Sequence, residues 1–244
     1  SFAVRPYIGQ CAGVDGLTKI VSTLDEQLID RGYVTSRVTL PRQNLSEGTL
    51  TLQLHVGRIA GVEMLAADEG QTPDKRWGTW RNAFPVQEGD ALNIRNLEQG
   101  IEQMKRLPSQ SVATTLAPGA EPDTSKLSIL RQTGRWQDRV RGGITVDNSG
   151  SRTLGRTQLF GALSLDNALG LNDIVALTAN TNTENLSANH RTQGYAFSYS
   201  IPWGYDTFTY SRSSSRYAQQ VQGTAMVFLS SGRSESDDIK WHRT

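Results

Sequence analysis

The chain has 244 residues, with 25 Lys and Arg against 24 Asp and Glu, and a formal net charge of +1. This balance gives no support for a nucleic-acid-binding protein or for attraction to an anionic membrane surface. Mean hydropathy is −0.45, and no run approaches the roughly 18 consecutive apolar residues of a membrane helix. A membrane-spanning barrel stays open, because its lipid-facing and lumen-facing residues alternate and dilute the hydropathy.

The first predicted element is a helix with apolar residues three and four positions apart: Leu17, Ile20, Val21, Leu24, Leu28 and Ile29. Asp15 is the predicted N-cap, and Gly32 is the predicted left-handed residue that ends the helix. Two predicted strands follow at 33–40 and 49–56, joined by a turn. The second strand alternates without a break and predicts a buried face made of Leu50, Leu52, Leu54 and Val56.

A second module follows the first. After a predicted strand at 59–65 and a predicted helix at 75–84, a new helical stripe consists of Leu92, Ile94, Leu97, Ile101, Met104 and Leu107. Strands are then predicted at 111–116 and 126–131. The order helix, strand, strand therefore occurs twice. Thr39-Leu40 corresponds to Thr115-Leu116, 76 residues further on. Two small α+β modules in tandem explain this repeat.

Beyond Trp136 the sequence changes to strands. A period of two predicts them at about 139–147, 156–165, 173–181, 191–201 and 205–214, with a long loop from Arg216 to Ser236. In the last two of these strands, aromatic and aliphatic residues alternate with small polar ones. This alternation is typical of the outer and inner faces of an outer-membrane barrel. A soluble sandwich buries such aromatics equally well, so the pattern alone leaves both architectures open.

No arrangement of residues favours an enzyme. The three histidines, His55, His190 and His242, are far apart, and the chain has no zinc spacing, GxSxG motif or phosphate-binding glycine loop. Asp and Asn residues at 147–148, 166–167 and 172–173 are calcium ligands by type, but their surroundings favour turns. We therefore expect no catalytic residue, no metal and no cofactor.

Three motifs resemble one family. RGYVTSRVTLPRQNLSEGTLTLQLHVGRI resembles the first polypeptide-transport-associated (POTRA) domain of two-partner-secretion outer-membrane transporters, the haemolysin secretion and activation family. EGDALNIRNLEQGIEQMKRLPS resembles a helix of their second POTRA domain. VDNSGSRTLGRTQLFGALSLDNALGLND is similar to the first barrel hairpin of the family. Their order is specific to these transporters.

The resemblance implies α+β POTRA domains in tandem, followed by the N-terminal part of an antiparallel transmembrane β-barrel. The expected domains are an incomplete POTRA 1 at 1–58, POTRA 2 at 59–136, and about six barrel strands at 137–244 of a longer protein. Such transporters secrete, and some activate, a partner exoprotein such as a haemolysin or an adhesin. They lie in the bacterial outer membrane with POTRA domains in the periplasm. An outer-membrane assembly insertase and a soluble β-rich binding module are the alternatives.

The resemblance also implies where a client binds. By family topology, the strand after each POTRA helix is a sheet edge, to which an unfolded, β-rich exoprotein can add a strand. The predicted client-binding residues are Tyr33, Thr35, Arg37, Thr39, Val112 and Thr114. Proline at Ser36 or Ala113 is expected to weaken client binding.

The remaining expectations concern the barrel and one cysteine. The predicted pore-lining residues are Arg139, Arg141, Gln158, Thr207 and Thr209. Cys11 is the only cysteine; either it is a free thiol or, as the resemblance favours, it pairs with an upstream cysteine. The expected partners are the exoprotein and outer-membrane lipid, with a monomeric barrel and no nucleic acid.

Overall fold

The computed structural model describes residues 13–45, 48–65, 79–151, 154–184 and 191–244. Cys11 lies outside these residues, so its predicted disulfide stays a prediction. The described residues within 1–73, 84–102 and 112–131 form one compact unit, and those within 74–83, 103–111 and 132–244 form a second. No helix in this described part is long and apolar enough to cross a membrane.

The first unit begins with helix α1, Val14–Asp30. Its end is the one predicted: Gly32 has φ +90°, its amide donates to Ile29, and the amide of Tyr33 donates to Leu28, both at 2.8 Å. The predicted N-cap is wrong, since Gly13 takes that position and Asp15 lies in the first turn. The negative charge of Asp15 still favours the helix there, because the N-terminus of a helix carries a partial positive charge.

Strands β1, Arg37–Thr39, and β2, Gln53–His55, form an antiparallel pair of only three residues each. The longer predicted strands are therefore wrong in extent, and Leu54, predicted to be buried, is 54% exposed. The ladder is short because the preceding residues form a turn instead. In that turn the amide of Ser36 donates to the carbonyl of Tyr33 at 3.1 Å.

A three-stranded sheet follows, with the strand order β3-β5-β4 and β3 parallel to β5. Its elements are β3 (Arg58–Leu65), α2 (Trp80–Ala83), α3 (Ile94–Lys105), β4 (Gln110–Pro118) and β5 (Thr124–Thr133). Helix, strand and strand recur in the order of the first module, which confirms the predicted repeat. The buried apolar residues of the first unit are Leu17, Ile20, Ile59, Phe84, Val86, Leu92, Leu97, Val112, Leu127 and Ile129.

Within the first unit, α3 begins against the end of α1. The side chain of Asn93, the amide of Ile94 and the side chain of Arg95 donate to carbonyls of residues 30–32, at 2.6 to 2.9 Å. Carbonyls at a helix C-terminus have no partner inside the helix. The two modules thus satisfy each other's backbone at this point.

The second unit contains a six-stranded antiparallel sheet in which each strand pairs with the next. A short 3-10 helix, Trp136–Arg139, precedes it. The strands are β6 (Val140–Asp147), β7 (Gln158–Asp166), β8 (Ile174–Asn182), β9 (Arg191–Trp203), β10 (Asp206–Gln222) and β11 (Val227–Arg243). Within 137–244, the described residues thus form six strands, and their place in a barrel stays a prediction.

The long loop predicted from Arg216 to Ser236 is wrong. β10 and β11 pair without interruption from Asp206↔Arg243 to Gln222↔Val227, with a short turn between them. Ser and Gln residues in this stretch hide the alternation that marks a strand. The ladder forms nevertheless, because its backbone hydrogen bonds require no particular side chain.

Candidate functional site

The strand register assigns each side chain of the six-stranded sheet to one face, because directly opposed residues of an antiparallel pair share a face. One such row consists of Gly142, Leu163, Leu177 and Phe197. The next row, on the opposite face, consists of Arg141, Ser164, Ala176, Ser198 and Ser211. The sheet therefore has an apolar face and a polar face.

The apolar face is solvent-exposed in this chain, with Ile144 at 79% and Ile239 at 83% exposure. Its members include Val140, Ile144, Leu163, Leu177, Tyr195, Phe197, Tyr199, Ile201, Phe208, Tyr210, Ile239 and Trp241. A contiguous exposed surface of this kind marks a site that contacts lipid or another apolar partner.

The apolar residues of this face form a band that crosses the strands obliquely. On β6 it reaches Val146, whose row continues through Leu159, Thr181 and Gln193 to Arg216. On β10 the band ends at Tyr210, which lies in the row of Val140 and so three rows of this face before that of Val146. Strands of a membrane barrel are tilted by about 35–45°, so a band parallel to the membrane must cross them at an angle. The slope of the apolar band has the form that such a tilt requires.

The polar face holds four of the five predicted pore-lining residues: Arg141, Gln158, Thr207 and Thr209. Arg139 lies instead in the 3-10 helix before β6. The neighbours of the four are small or polar, among them Gly143, Ala162, Thr178, Ser198 and Ser211. That these residues line a pore stays a prediction.

An ion pair on the polar face joins β6 to the end of β7. Arg141 donates to both carboxylate oxygens of Asp166, with Nη2 to Oδ1 at 2.7 Å, and the side chain of Asp166 is fully buried. The backbone amide of Ser109 donates to the same carboxylate at 3.2 Å. Arg141 also donates to Ser164 Oγ at 3.3 Å. The buried carboxylate thus depends on the guanidinium for two of its hydrogen bonds.

The β7–β8 turn is built from its own acidic and amide side chains. The carboxylate of Asp173 accepts from the amides of Leu169 and Leu171 at 3.1 Å. Asn167 Oδ1 accepts from the amide of Asn172 at 2.9 Å, and both asparagines have φ near +55°. Asn and Asp tolerate this left-handed conformation better than other side chains. The interpretation of these residues as turn residues is confirmed here.

Asn82 of α2 connects two turns of the sheet. Its Nδ2 donates to the carbonyls of Leu171 at 2.6 Å and Pro202 at 3.0 Å, and its backbone carbonyl accepts from the amide of Gly204 at 2.7 Å. Its Oδ1 accepts from Asn172 Nδ2 at 3.2 Å. Asn82 and Asn172 are both buried. We call this pair the turn junction.

The segment 103–111 makes further hydrogen bonds to the same sheet. Gln103 Nε2 donates to the carbonyl of Gly204 at 3.1 Å, Gln110 Nε2 donates to Asn172 Oδ1 at 3.3 Å, and Arg106 donates to Ser200 Oγ. Burial lowers the pKa of the Arg106 guanidinium, and the charge of Asp173 opposes this effect. The sequence patterns predict no role for Gln103, Arg106 or Gln110. For Asn82, the one available signal was a polar residue next to Ala83 and Phe84.

β4 lies at an edge of the three-stranded sheet. At the two ends of the β4–β5 hairpin, the amide of Gly134 donates to Ser109 at 3.2 Å and the amide of Gly119 donates to Thr124 at 2.8 Å. Ladder hydrogen bonds of an antiparallel strand involve alternate residues. The odd-numbered residues of β4 therefore bond to β5, and Val112 and Thr114 direct their backbone groups to the free edge. The Val112 side chain is in the core, and that of Thr114 is half-buried.

This geometry corrects both expected proline tests. Ala113 has its amide in the β4–β5 ladder, so proline there breaks the sheet. Ser36 is buried, and its Oγ accepts from the amide of Gly57 at 3.0 Å. Proline at Ser36 also removes the amide that bonds to Tyr33. Neither substitution tests a sheet edge without disturbing the fold, whereas proline at Thr114 would remove an amide that points away from the β4–β5 ladder.

The predicted client-binding residues of the first module are largely engaged inside the first unit. Arg37 Nη2 donates to Asp123 Oδ1 at 3.1 Å, and His55 Nδ1 lies 3.1 Å from Asp123 Oδ2. Thr39 Oγ1 lies 3.1 Å from His55 Nε2. Thr35 and Tyr33 are half-buried in the turn before β1. A role of these side chains in client binding stays a prediction.

Comparison with known proteins assigns the family. Residues 123–244 match the family described as haemolysin secretion/activation protein ShlB/FhaC/HecB, residues 2–57 match a ShlB-type POTRA domain, and residues 58–118 match a POTRA domain. The chain belongs to this haemolysin secretion/activation family. The predicted fold class, POTRA domains followed by an antiparallel sheet, is confirmed. The predicted domain limits, 1–58, 59–136 and 137–244, stay predictions.

Several relatives within the family are transporters by name. Outer membrane transporter CdiB-2 of Burkholderia pseudomallei is 39% identical over 97% of this chain and 39% of its own length. Hemolysin transporter protein ShlB of Serratia marcescens is 31% identical over 88% of this chain and 36% of its own length. The structure of CdiB from Escherichia coli matches with a TM-score of 0.80 and 31% identity, covering 98% of this chain and 43% of that one. The chain thus spans about two fifths of the length of its relatives.

The Asp123 network between the two POTRA modules gives a local prediction. Asp123→Ala should speed amide exchange in β1 and β2 about fivefold, because it removes the partners of Arg37 and His55, worth about 1 kcal/mol. Hydrogen exchange read by mass spectrometry measures this. Asp123→Asn is the control: it keeps an acceptor for His55 and tolerates the left-handed φ of +56° at this position, so exchange should change less. Equal rates in all three proteins would exclude a role for the network.

Proposed function

We propose that this chain is part of an outer-membrane transporter of two-partner secretion, which recognises one unfolded exoprotein and secretes it across the bacterial outer membrane. A haemolysin or an adhesin is the expected class of exoprotein. The POTRA domains stand in the periplasm, and the six-stranded sheet is part of the wall of a monomeric barrel. The transporter catalyses no chemical step of its own.

The observation that carries the proposal is the division of the sheet into two faces. An exposed apolar face with Ile144, Ile239 and Trp241 is unfavourable in water and favourable against lipid. β6, β7 and β8 have 8, 9 and 9 residues, close to the roughly 9–11 that a strand needs to cross the hydrocarbon core. The slope of the apolar band is consistent with tilted strands.

The polar face suits the passage of an extended chain. Its small and hydroxyl-bearing side chains offer many weak hydrogen bonds. A polypeptide in transit therefore stays hydrated and binds this face only weakly. This argument supports Arg141, Gln158, Thr207 and Thr209 as pore-lining residues, and it rests on the barrel closing in the intact transporter.

Client recognition is assigned to the edge of β4. An extended peptide that pairs with Val112 and Thr114 gains backbone hydrogen bonds whatever its side chains, which suits an unfolded and β-rich client. The alternatives of an assembly insertase or a soluble binding module receive less support, because relatives matched over most of this chain are named outer membrane transporter or hemolysin transporter, and the chain matches the haemolysin secretion/activation family.

The test is proline at Thr114. Thr114→Pro should weaken client binding about tenfold or more, because it removes an edge amide and places a ring where the client backbone must approach. An edge position that takes no part in the ladder tolerates proline, so the sheet should stay folded. The measurement is calorimetric titration of the detergent-purified transporter with the secretion domain of the exoprotein encoded beside it.

Thr114→Val is the matched control, since it keeps the amide and the side-chain shape. We expect its affinity to equal that of the unaltered protein. Equal affinity for the proline and valine variants, with both folded, would exclude β4 as the client-binding edge.

A further inference from the structure

The two POTRA modules present their edge strands differently. Among the described strands β1 pairs only with β2, and its ladder register is Arg37↔His55, Val38↔Leu54 and Thr39↔Gln53. The amide of Val38 does not join this ladder. It donates instead to Asp25 Oδ1 of α1 at 2.6 Å. The donor that β1 would offer to an added strand is therefore occupied by a carboxylate of the same module.

The preceding edge donor is occupied as well. The amide of Ser36, two residues before Val38 and on the same side of the strand, donates to the carbonyl of Tyr33 at 3.1 Å. The next donor on that side belongs to Leu40, and Pro41 follows it directly. β1 thus offers an added strand no consecutive pair of free donors.

The second module differs at the equivalent positions. At the repeat distance of 76 residues, Ser36 corresponds to Val112, Val38 to Thr114 and Asp25 to Ile101. The side chain of Ile101 has no hydrogen-bond acceptor, so it cannot occupy the edge as Asp25 does. β4 is also longer, with nine residues against three. Among the described residues, the repeat thus yields one closed edge and one open edge.

We infer that Asp25, together with the Tyr33–Ser36 turn, closes the edge of β1, so that the extended client adds to β4 alone. This inference rests on the proposed function. Its physical basis is a competition for the Val38 amide between the Asp25 carboxylate and a client carbonyl. A charged acceptor forms the stronger bond, and it belongs to the same module, so it loses no translational freedom on binding. Its negative charge also repels an approaching carbonyl oxygen.

The closed edge gives the transporter a single orientation for its client. With two equivalent edges, one unfolded chain could pair with either module and in more than one register. A capped edge removes that alternative, and it also protects β1 from pairing with unrelated exposed strands.

The experiment places a photo-crosslinking amino acid at Leu40 or at Leu116. These residues are equivalent in the repeat and similarly exposed, at 40% and 38%. The detergent-purified transporter is irradiated with the secretion domain of the exoprotein encoded beside it. We expect the yield of crosslinked client at Leu116 to exceed that at Leu40 by about tenfold, the factor that one charge-assisted hydrogen bond of this kind provides.

The second part of the experiment removes the Asp25 carboxylate from the edge of β1. Asp25→Ala should raise the yield at Leu40 severalfold without reaching that at Leu116, because the amide of Ser36 stays bonded to Tyr33. Asp25→Asn retains an acceptor oxygen for the Val38 amide, and Glu26→Ala alters an exposed acid on the same helix; both should leave the yield at Leu40 low. Circular dichroism of each variant verifies that α1 remains folded.

The outcomes separate the inference from the function on which it rests. Equal yields at Leu40 and Leu116 in the unaltered protein would overturn the closed edge and leave client recognition by POTRA edges standing. A yield at Leu40 that stays low in a folded Asp25→Ala variant would remove Asp25 from the explanation. Crosslinks at neither position would overturn edge recognition itself.

Discussion

Asn82→Asp is expected to lower the free energy of unfolding of the second unit by roughly 3 kcal/mol. The substitution exchanges the Nδ2 group for an oxygen. That oxygen then faces the carbonyls of Leu171 and Pro202, which accept from Asn82 at 2.6 and 3.0 Å. Two hydrogen bonds are lost, and a carboxylate is left among acceptors in a buried position.

Thermal unfolding in detergent, followed by circular dichroism, measures the loss. Lower pH should restore part of the stability, because a protonated carboxyl group can donate one hydrogen bond where the carboxylate donates none. Asn82→Ala should be destabilising but show no such recovery. An Asn82→Asp variant as stable as the unaltered protein at neutral pH would contradict the assigned hydrogen bonds.

A double-mutant cycle tests whether the turn junction acts as a unit. Asn82 and Asn172 share a hydrogen bond of 3.2 Å, so Asn82→Ala and Asn172→Ala should together cost less than the sum of the two single losses. Additive losses would mean that each asparagine serves only its own turn.

Arg141→Ala is the second large effect, with an expected loss of about 3–5 kcal/mol in the free energy of unfolding. The fully buried Asp166 carboxylate would lose both guanidinium hydrogen bonds and keep only its contacts with Ser109 among the described residues. A buried charge without its counter-ion costs far more than the pair contributes when intact. Thermal unfolding in detergent is again the measurement.

A substitution of the other partner in the ion pair is the matched control. Asp166→Asn leaves Arg141 with access to solvent, since the side chain of Arg141 is 39% exposed, so its loss should be clearly smaller than that of Arg141→Ala. Arg141→Lys should fall between the two, because an ammonium group cannot bond both carboxylate oxygens as a guanidinium does. Equal losses for Arg141→Ala and Asp166→Asn would contradict this account of burial.

Periodicity in the sequence determined the elements and their faces. The helical stripes predicted α1 and α3, the repeat predicted two modules of like order, and the alternation in β9 predicted which side Tyr195 and Phe197 share. Each of these is a local property. A residue's neighbours in the chain decide it, because a helix or strand fixes the direction of every side chain along its length.

Prediction from the sequence failed where a hydrogen-bond partner lies far away along the chain. It also failed where paired strands show no alternation of apolar and polar residues. Nothing near Asn82 indicates acceptors 89 and 120 residues away. The pairing of β10 with β11 continues through Ser- and Gln-rich segments, since backbone groups form the ladder. β1 is shorter than predicted because residues 33–36 form a turn, in which the amide of Ser36 donates to Tyr33.

The sequence by itself thus determined the order of the modules, the apolar and polar faces of the sheet, and the family to which the chain belongs. Only the tertiary structure decided which amides and carboxylates pair. That includes Asp166 with Arg141, Asn82 with two turns, and Asp25 with the edge of β1. The physical reason is that hydrophobic periodicity acts along the chain, whereas the satisfaction of a buried polar group requires a partner in space.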